Sequence, residues 1–330
     1  MNYKKYALVD LHLHLDGSLS AEAIIKVAKE EKIELPTYNP DELNKYLMVP
    51  ENCKSLTEYL ERFDLPNLVL QSKYGLTTCT LDLLKRLSEQ GIKYVEIRMA
   101  PQLSCKNGLT QEEVVKTLID AIKLGEKYGI YSNLILCMMR LPDNLDENIE
   151  TVEVAKKFLG TKVVALDLAG AEAIFPNECF DQEFKLANSY NIPLTIHCGE
   201  AAGAKSVLSA LKYNPVRIGH GIHSIEDEEV LKMLKIRGIC LEICPKSNLD
   251  TKAVSDLKDL PIRQFLDYGI KVSINTDDDT VSNTNLENEY RILTELGFNE
   301  KELQEFARNS IEASFASDEI KKEILGLLNK

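Results

Sequence analysis

Short apolar runs alternate with amphipathic stretches along nearly the whole of this 330-residue chain. The first run, Val9 to Leu15, has a period of two. That predicts an extended strand with Asp10, His12, His14 and Asp16 on one face and Val9, Leu11, Leu13 and Leu15 on the other, ending at Gly17-Ser18. Ser20 is placed to cap a helix over Ala21–Lys32, whose Ile24, Ile25, Val27 and Ala28 lie on or near one side. A polar connection containing Pro36, Pro40 and Pro50 follows. Ser55-Leu56-Thr57-Glu58 has the form of a capping box opening a helix with Tyr59, Leu60 and Phe63, which Pro66 should end or bend. Another helix is expected over Thr80–Gln90.

From Gly91 the rhythm becomes regular. Strands are predicted at Lys93–Met99, Ile130–Met139, Lys162–Leu168, Ile192–Cys198, Val216–His220, Ile239–Cys244 and Ile270–Asn275. Helices are predicted between them at Gln111–Lys127, Asp146–Phe158, Cys179–Tyr190, Ala204–Lys212, Glu226–Lys235 and Pro261–Tyr268, and again through Asn285–Lys330. With the first strand there are eight, nearly all short and rich in Val, Ile and Leu. Buried strands joined by crossover helices form parallel sheet, and eight such units point to an α/β fold of the (β/α)8 TIM-barrel type. The barrel is expected to form one domain over residues 1–330, with extra helices after strand one and at the C-terminus. The long helical connection after strand one is placed to form a lid. No glycine-rich nucleotide fingerprint follows the first strand, which speaks against an open doubly wound sheet.

Composition narrows the partners. The formal net charge of −13 disfavours a nucleic-acid backbone and favours a small-molecule partner, although a solvated acidic surface accounts for most of it. Eight cysteines are scattered without a Cys-x-x-Cys pair, mostly in apolar stretches, where a free thiol acts as a small hydrophobe. The chain opens without a signal-peptide apolar region and has no run long enough to span a bilayer. A cytoplasmic protein with neither nucleic-acid nor membrane partner is expected. Oligomeric state is not legible.

In such barrels the active site lies at the C-terminal ends of the strands. Here those ends read His12-Leu13-His14-Leu15-Asp16, Asp167-Leu168-Ala169-Gly170, His197-Cys198-Gly199-Glu200, Gly219-His220-Gly221 and Asn275-Thr276-Asp277-Asp278-Asp279. Each has an ordinary explanation by itself. The first is an amphipathic strand, His197 a hydrogen-bonded core residue, His220 part of a tight turn, and Asp277–Asp279 a helix cap. Yet four of the five histidines sort to strand ends, and the fifth, His223, lies just beyond one and reads as structural. Three imidazoles and a carboxylate suit a divalent first-row metal, with Zn²⁺ the default. The ligands named on this basis are His12, His14, His197 and Asp277.

These motifs resemble the adenosine deaminase family of the metal-dependent amidohydrolases. Cys244-Pro245-Lys246-Ser247-Asn248 and the tail Asn309–Phe315 add to the likeness, which spans essentially the whole chain. Two positions depart from the family pattern. Ala171 stands where many members have an acid, which bears on substrate selectivity, and Asp279 stands where many have proline. Binuclear amidohydrolases bridge two metals with a lysine at the end of strand four; here strand four has only Lys162 at its start, so the resemblance implies one metal per chain.

The resemblance implies zinc-dependent hydrolytic deamination at C6 of adenosine or 2′-deoxyadenosine, giving the inosine product and ammonia. It makes Glu200 the proton donor to N1, His220 the residue that deprotonates or orients the water, and Asp278 the partner of N7. It also places the Gly170 N–H at N3, Asp16 at the ribose 5′-hydroxyl, and His14 beside the substrate as well as on the metal. Leu56, Leu60, Phe63 and Leu65 are expected to roof the purine, unless they serve only to pack helix on barrel. The alternatives are a sister enzyme acting on adenine or another 6-aminopurine and, from a different class, a non-catalytic nucleoside-binding scaffold. AMP is disfavoured because no basic cluster adjoins the motifs.

Overall fold

The computed structural model describes residues 2–50 and 53–329. Strands β1 (Val9–His14), β2 (Tyr94–Met99), β3 (Tyr131–Arg140) and β4 (Val163–Gly170) form one parallel sheet in that order. Strands β5 (Thr195–Cys198), β6 (Arg217–His220), β7 (Cys240–Ile243) and β8 (Val272–Ile274) form a second. Single bridges join the two at both seams. Leu166 pairs with Leu194 between β4 and the approach to β5, and Leu13 pairs with Asp277 just past β8. The strands therefore follow one another around a parallel α/β barrel, with helices outside. Most strand residues are buried on both faces, which is why these segments read as continuous apolar runs.

The first strand departs from its predicted pattern. The β1–β2 register shifts between Asp10 and Leu13, and the strand ends at His14. Asp16 enters a 3₁₀ turn over Asp16–Ser18, so the four polar residues do not share one strand face. Asp10 turns toward the far seam, where its carboxylate accepts the Thr276 hydroxyl at 2.6 Å and the Thr276 N–H at 3.3 Å.

The long first connection contains more helix than its prolines indicated. After α1 (Ala21–Glu31) comes α2 (Pro40–Leu47), capped by Asn39. Pro40 occupies the first turn, where a missing N–H costs no helix bond, so it marks a helix start. In α3 (Leu56–Leu60), Ser55 Oγ accepts the Glu58 N–H at 3.3 Å, but the Glu58 carboxylate accepts from the Lys54 N–H, so the reciprocal box does not form. The chain bends through a 3₁₀ turn at Glu61–Phe63 into α4 (Asp64–Val69). Pro66 lies inside the first turn of α4 and follows the bend. Helix α5 (Lys73–Gln90) begins well before Thr80 because Ser72 caps it, accepting the Gly75 N–H at 2.9 Å. No described helix is long and apolar enough to cross a membrane.

Candidate active site

The C-terminal ends of β1 and β5 and a residue three positions past β8 bring four side chains together. Donor atoms of His12, His14, His197 and Asp277 all lie within 4.8 Å of one another. His197 Nε2 stands 2.9 Å from His12 Nε2 and 3.2 Å from His14 Nε2, and Asp277 Oδ1 is 3.3 and 3.4 Å from the same two nitrogens. A tetrahedral ion with bonds of about 2.0–2.1 Å holds its ligands roughly 3.3 Å apart. The observed spacings fit that arrangement, so the cluster could hold a metal ion. Asp277 has φ +66° and is pinned to β1 on both sides, its N–H donating to His12 O and its carbonyl accepting from His14 N, each at 2.8 Å. Both histidine ligands of β1 and the carboxylate are thus aligned by the barrel's own seam.

Behind the ligands lies a buried ionic lattice. His12 Nδ1 meets Glu242 Oε2 at 2.9 Å and His197 Nδ1 meets Asp167 Oδ2 at 2.7 Å. A ring whose Nδ1 is held by a carboxylate keeps its proton there and leaves Nε2 free to ligate. Arg98 joins the two carboxylates, with Nη1 2.6 Å from Asp167 and Nη2 bonded to Glu242. Arg217 binds Glu242 through Nε at 2.5 Å and Glu96 through Nη2. Burial lowers the pKa of His12 and, more strongly, of His14, favouring the neutral, ligating form. Burial also depresses His197, but Asp167 beside it more than compensates and raises it. Asp277 is desolvated too, yet the surrounding imidazoles, His12 foremost, hold it well below the usual carboxylate range. Sequence reasoning missed Glu96, Arg98, Arg217 and Glu242. Their signal was a charged residue inside an otherwise apolar buried strand.

The cluster opens into a cavity of about 350 Å³, lined on the barrel side by His14, Asp16, Gly170, Glu200, His220 and Asp278. Glu200 Oε1 accepts the Thr251 hydroxyl at 2.8 Å, and Oε2 lies 3.6 Å from His220 Nε2. Burial pushes Glu200 above its ordinary pKa, with His220 opposing in part. Asp278 is raised much further by burial, with Asp277 and Asp16 adding like-charge repulsion. Its Oδ2 accepts from Tyr59 at 3.0 Å, while Oδ1 has no partner among the described residues. Asp278 is therefore a carboxyl group biased toward its neutral form, with one oxygen unpartnered among the described residues. Gly17 packs against it so closely that a Cβ there would fall 1.6 Å from Oδ1. Burial raises Asp16 to about 6.

His220 also sits at positive φ, +59°. Asn248 Oδ1 accepts the Cys244 N–H at 3.4 Å, which turns the amide nitrogen toward His220 Nδ1 at 3.0 Å. A donor at Nδ1 leaves the ring proton on Nε2, the nitrogen nearest Glu200 and Asp277. A Cβ at position 219 would lie 3.1 Å from the His12 ring, so the glycine before His220 makes room for the cluster.

Leu56, Tyr59, Leu60, Phe63 and Leu68 of the first connection wall the outer cavity. Leu65 packs into the main core instead, because the bend before α4 rotates it away from the cavity. Ala171 lines the opposite edge beside Met139 and Leu141. Asp279 is buried, with Oδ2 3.0 Å from Arg86 Nη1. His223 lies outside the cluster and pairs with Glu226 at 2.8 Å.

A parallel α/β barrel carrying a His₃Asp cluster at its strand ends defines a metal-dependent hydrolase of the amidohydrolase kind. The family model for adenosine deaminase matches residues 7–330. An adenosine deaminase of Haemophilus ducreyi is 45% identical over 328 residues, covering 97% of this chain and 95% of that protein. The chain belongs to the adenosine deaminase family. Among solved structures, an adenine deaminase from Arthrobacter aurescens superposes with a TM-score of 0.89 at 29% identity, covering 98% of each chain. The N6-mAMP deaminase of Arabidopsis gives 0.87 at 25% identity, covering 100% of this chain and 99% of that one.

Proposed function

We propose that this protein is a zinc-dependent hydrolase that removes the 6-amino group of adenosine or 2′-deoxyadenosine, releasing the inosine product and ammonia. The observation carrying this reading is the pair of raised carboxylic acids, Glu200 and Asp278, facing one cavity beside the His₃Asp cluster. A 6-aminopurine offers two ring acceptors on its reacting side, N1 and N7, and the site offers one carboxyl group with a raised pKa for each.

His12, His14, His197 and Asp277 would hold the zinc, which when bound lowers the pKa of its water to about 7. Glu200 gives its proton to N1, drawing electrons from C6 as water adds there. Asp278 Oδ1 donates to N7 and stays protonated because burial disfavours its anion. His220, with Nε2 toward the site, orients the attacking oxygen. Of the water's two protons, one passes to the 6-amino group, which leaves as ammonia, and the other returns to Glu200 as the C6 carbonyl forms. The Gly170 N–H serves N3, and Asp16, ionised at neutral pH, accepts from the 5′-hydroxyl. Phe63 and its apolar neighbours exclude bulk water from the purine. The chain acts as one domain over 1–330, and its eight free cysteines suit a reducing cytoplasm. Its partner is a small-molecule purine nucleoside.

The charge of the cavity separates nucleoside from nucleotide. Setting aside Glu200 and Asp278, whose raised pKa favours the neutral form, its lining holds Asp16, Asp64 and Asp277 against two cations. One of these, Arg140, is committed to the Phe175 and His197 carbonyls and to Asn177, and the other, Lys106, is exposed. A panel of adenosine, adenine and AMP, followed by the ultraviolet change on deamination with metal analysis of the same preparation, tests the reading. Adenosine is expected to lead AMP by at least about 100-fold in kcat/KM, which corresponds to roughly 2.7 kcal/mol. Asp16→Asn should lower kcat/KM for adenosine at least about tenfold and leave adenine unchanged. Faster turnover of adenine by the unaltered protein would shift the assignment to the free base. Binding without turnover in zinc-replete protein would make it a nucleoside-binding scaffold. His197→Ala is expected to purify with well under one zinc per chain, and stoichiometric metal would remove His197 from the ligand set.

A further inference from the structure

We propose that Glu172 is a positioning residue for the catalytic acid: its carboxylate gathers four consecutive backbone N–H groups, residues 199–202, and so sets where Glu200 presents its proton. Oε1 accepts from Gly199 N at 2.7 Å, and Oε2 from Glu200 N at 3.1 Å, Ala201 N at 2.8 Å and Ala202 N at 3.2 Å. The Ser206 hydroxyl completes the set at 2.5 Å from Oε1. Glu172 is 3% exposed and does not line the substrate cavity.

The need for such an acceptor follows from the backbone. Strand β5 stops at Cys198, Gly199 turns at φ +69°, and the next helix does not begin until Ala204. Residues 199–202 therefore lie between ladder and helix, with N–H groups that neither element satisfies. Successive N–H groups aimed at one point form an anion-binding concavity, and here the chain supplies its own anion. Glu200 lies inside this turn. Its carboxylate is fixed at one end by Thr251, and its backbone is fixed at the other by Glu172.

The clamp also has a counterpart on the carbonyl side. Arg140, from the end of β3, donates to His197 O at 2.6 Å and to Asn177 Oδ1 at 2.7 Å. The loop after β4 thus holds the end of β5 through a carboxylate on the N–H groups and, by way of Arg140, a guanidinium on a carbonyl. An acid that must meet N1 within hydrogen-bond reach gains from this rigidity, since a displacement of about 1 Å can cost on the order of 100-fold in rate.

This inference rests on Glu200 being the acid, and the test keeps the two ideas apart. Glu172→Gln is made alone and in the Glu200→Gln background, and each protein is assayed for kcat, KM and zinc content. Alone, the change is expected to lower kcat about 10- to 100-fold, with zinc retained and KM within about threefold. In the Glu200→Gln background it should cost less than about twofold, because residues acting through one another are not additive. Full kcat in zinc-loaded Glu172→Gln, or an equal loss in both backgrounds, would overturn the positioning role. Unchanged kcat in Glu200→Gln itself would instead overturn the assignment of the acid. Should Glu172→Gln not fold, Glu172→Asp carries the same comparison. Its shorter side chain keeps the charge without spanning all four N–H groups, so a several-fold loss is expected alone and none beside Glu200→Gln, and equal losses would again reject the proposal.

Discussion

Glu200→Gln is expected to keep its zinc and lose turnover by about 10²- to 10⁴-fold, the range that a positioned proton donor contributes. The amide is close to isosteric and can still accept the Thr251 hydroxyl bond, so the cavity should keep its shape. It cannot deliver a proton to N1. The pH dependence has a definite sign. Burial raises Glu200, so the acid form persists above the ordinary carboxylate range, and kcat should fall as pH rises through its raised pKa. Asp278 is held higher still, so its proton is lost later. The residual rate of the Gln variant should not follow the limb that belongs to Glu200. Activity within a few-fold of the unaltered protein, with that limb unchanged, would reject the acid role.

The second large effect is on stability. Arg98→Met should destabilise the fold by about 3–5 kcal/mol, the cost typical of breaking a fully buried ion pair by removing one partner. Arg98 lies between Asp167 and Glu242, and all three side chains are fully buried. Without it Glu242 keeps only Arg217 as a full cation, and Asp167 keeps the His197 ring and the Leu168 and His197 N–H groups but no full cation. Both carboxylates titrate below their ordinary range despite burial, Glu242 because of Arg98 and Arg217, and Asp167 because of His197 and Arg98. Groups depressed in this way add stability above their unfolded pKa, about 4, and lose it as pH falls toward the folded value. In Arg98→Met those folded values rise, so acid unfolding should begin at higher pH. Zinc affinity should also fall by about 10- to 100-fold, because the same carboxylates orient His12 and His197. Urea melts at two pH values with metal titration measure all three effects. Unchanged stability would mean that the lattice is not held through Arg98.

Arg98 also marks the limit of what could be read along the chain. A charge at every second position of a buried strand is visible as an anomaly in Glu96 and Arg98, but its meaning depends on Asp167, Arg217 and Glu242, which arrive from three other strands. Glu172 gave no signal at all. Its five donors come from residues 199–206, and nothing local distinguishes it from a surface glutamate. The misread helix starts at Pro40 and Ser72 have a different cause. Proline and serine favour both loops and first turns, and only the hydrogen bonds formed decide between them.

The sequence by itself determined the order of eight buried strands and the polar residues at their ends, because hydrophobic period and residue type are local properties. His12 and His14 were recognisable for that reason, as were the separate appearances of His197, Glu200, His220 and Asp277. Only the tertiary structure decided that β1 stops at His14 and turns Asp16 into the cavity, and that donor atoms far apart in the chain lie within bonding range of one point. It also decided that burial and like charges push Asp278 up while the imidazoles around its neighbour Asp277 hold that carboxylate down. Adjacent aspartates have the same chemistry in a list of residues. They diverge because protonation is set by burial and by charges brought close in space, and closing the barrel supplies imidazoles to one and a dry, like-charged corner to the other.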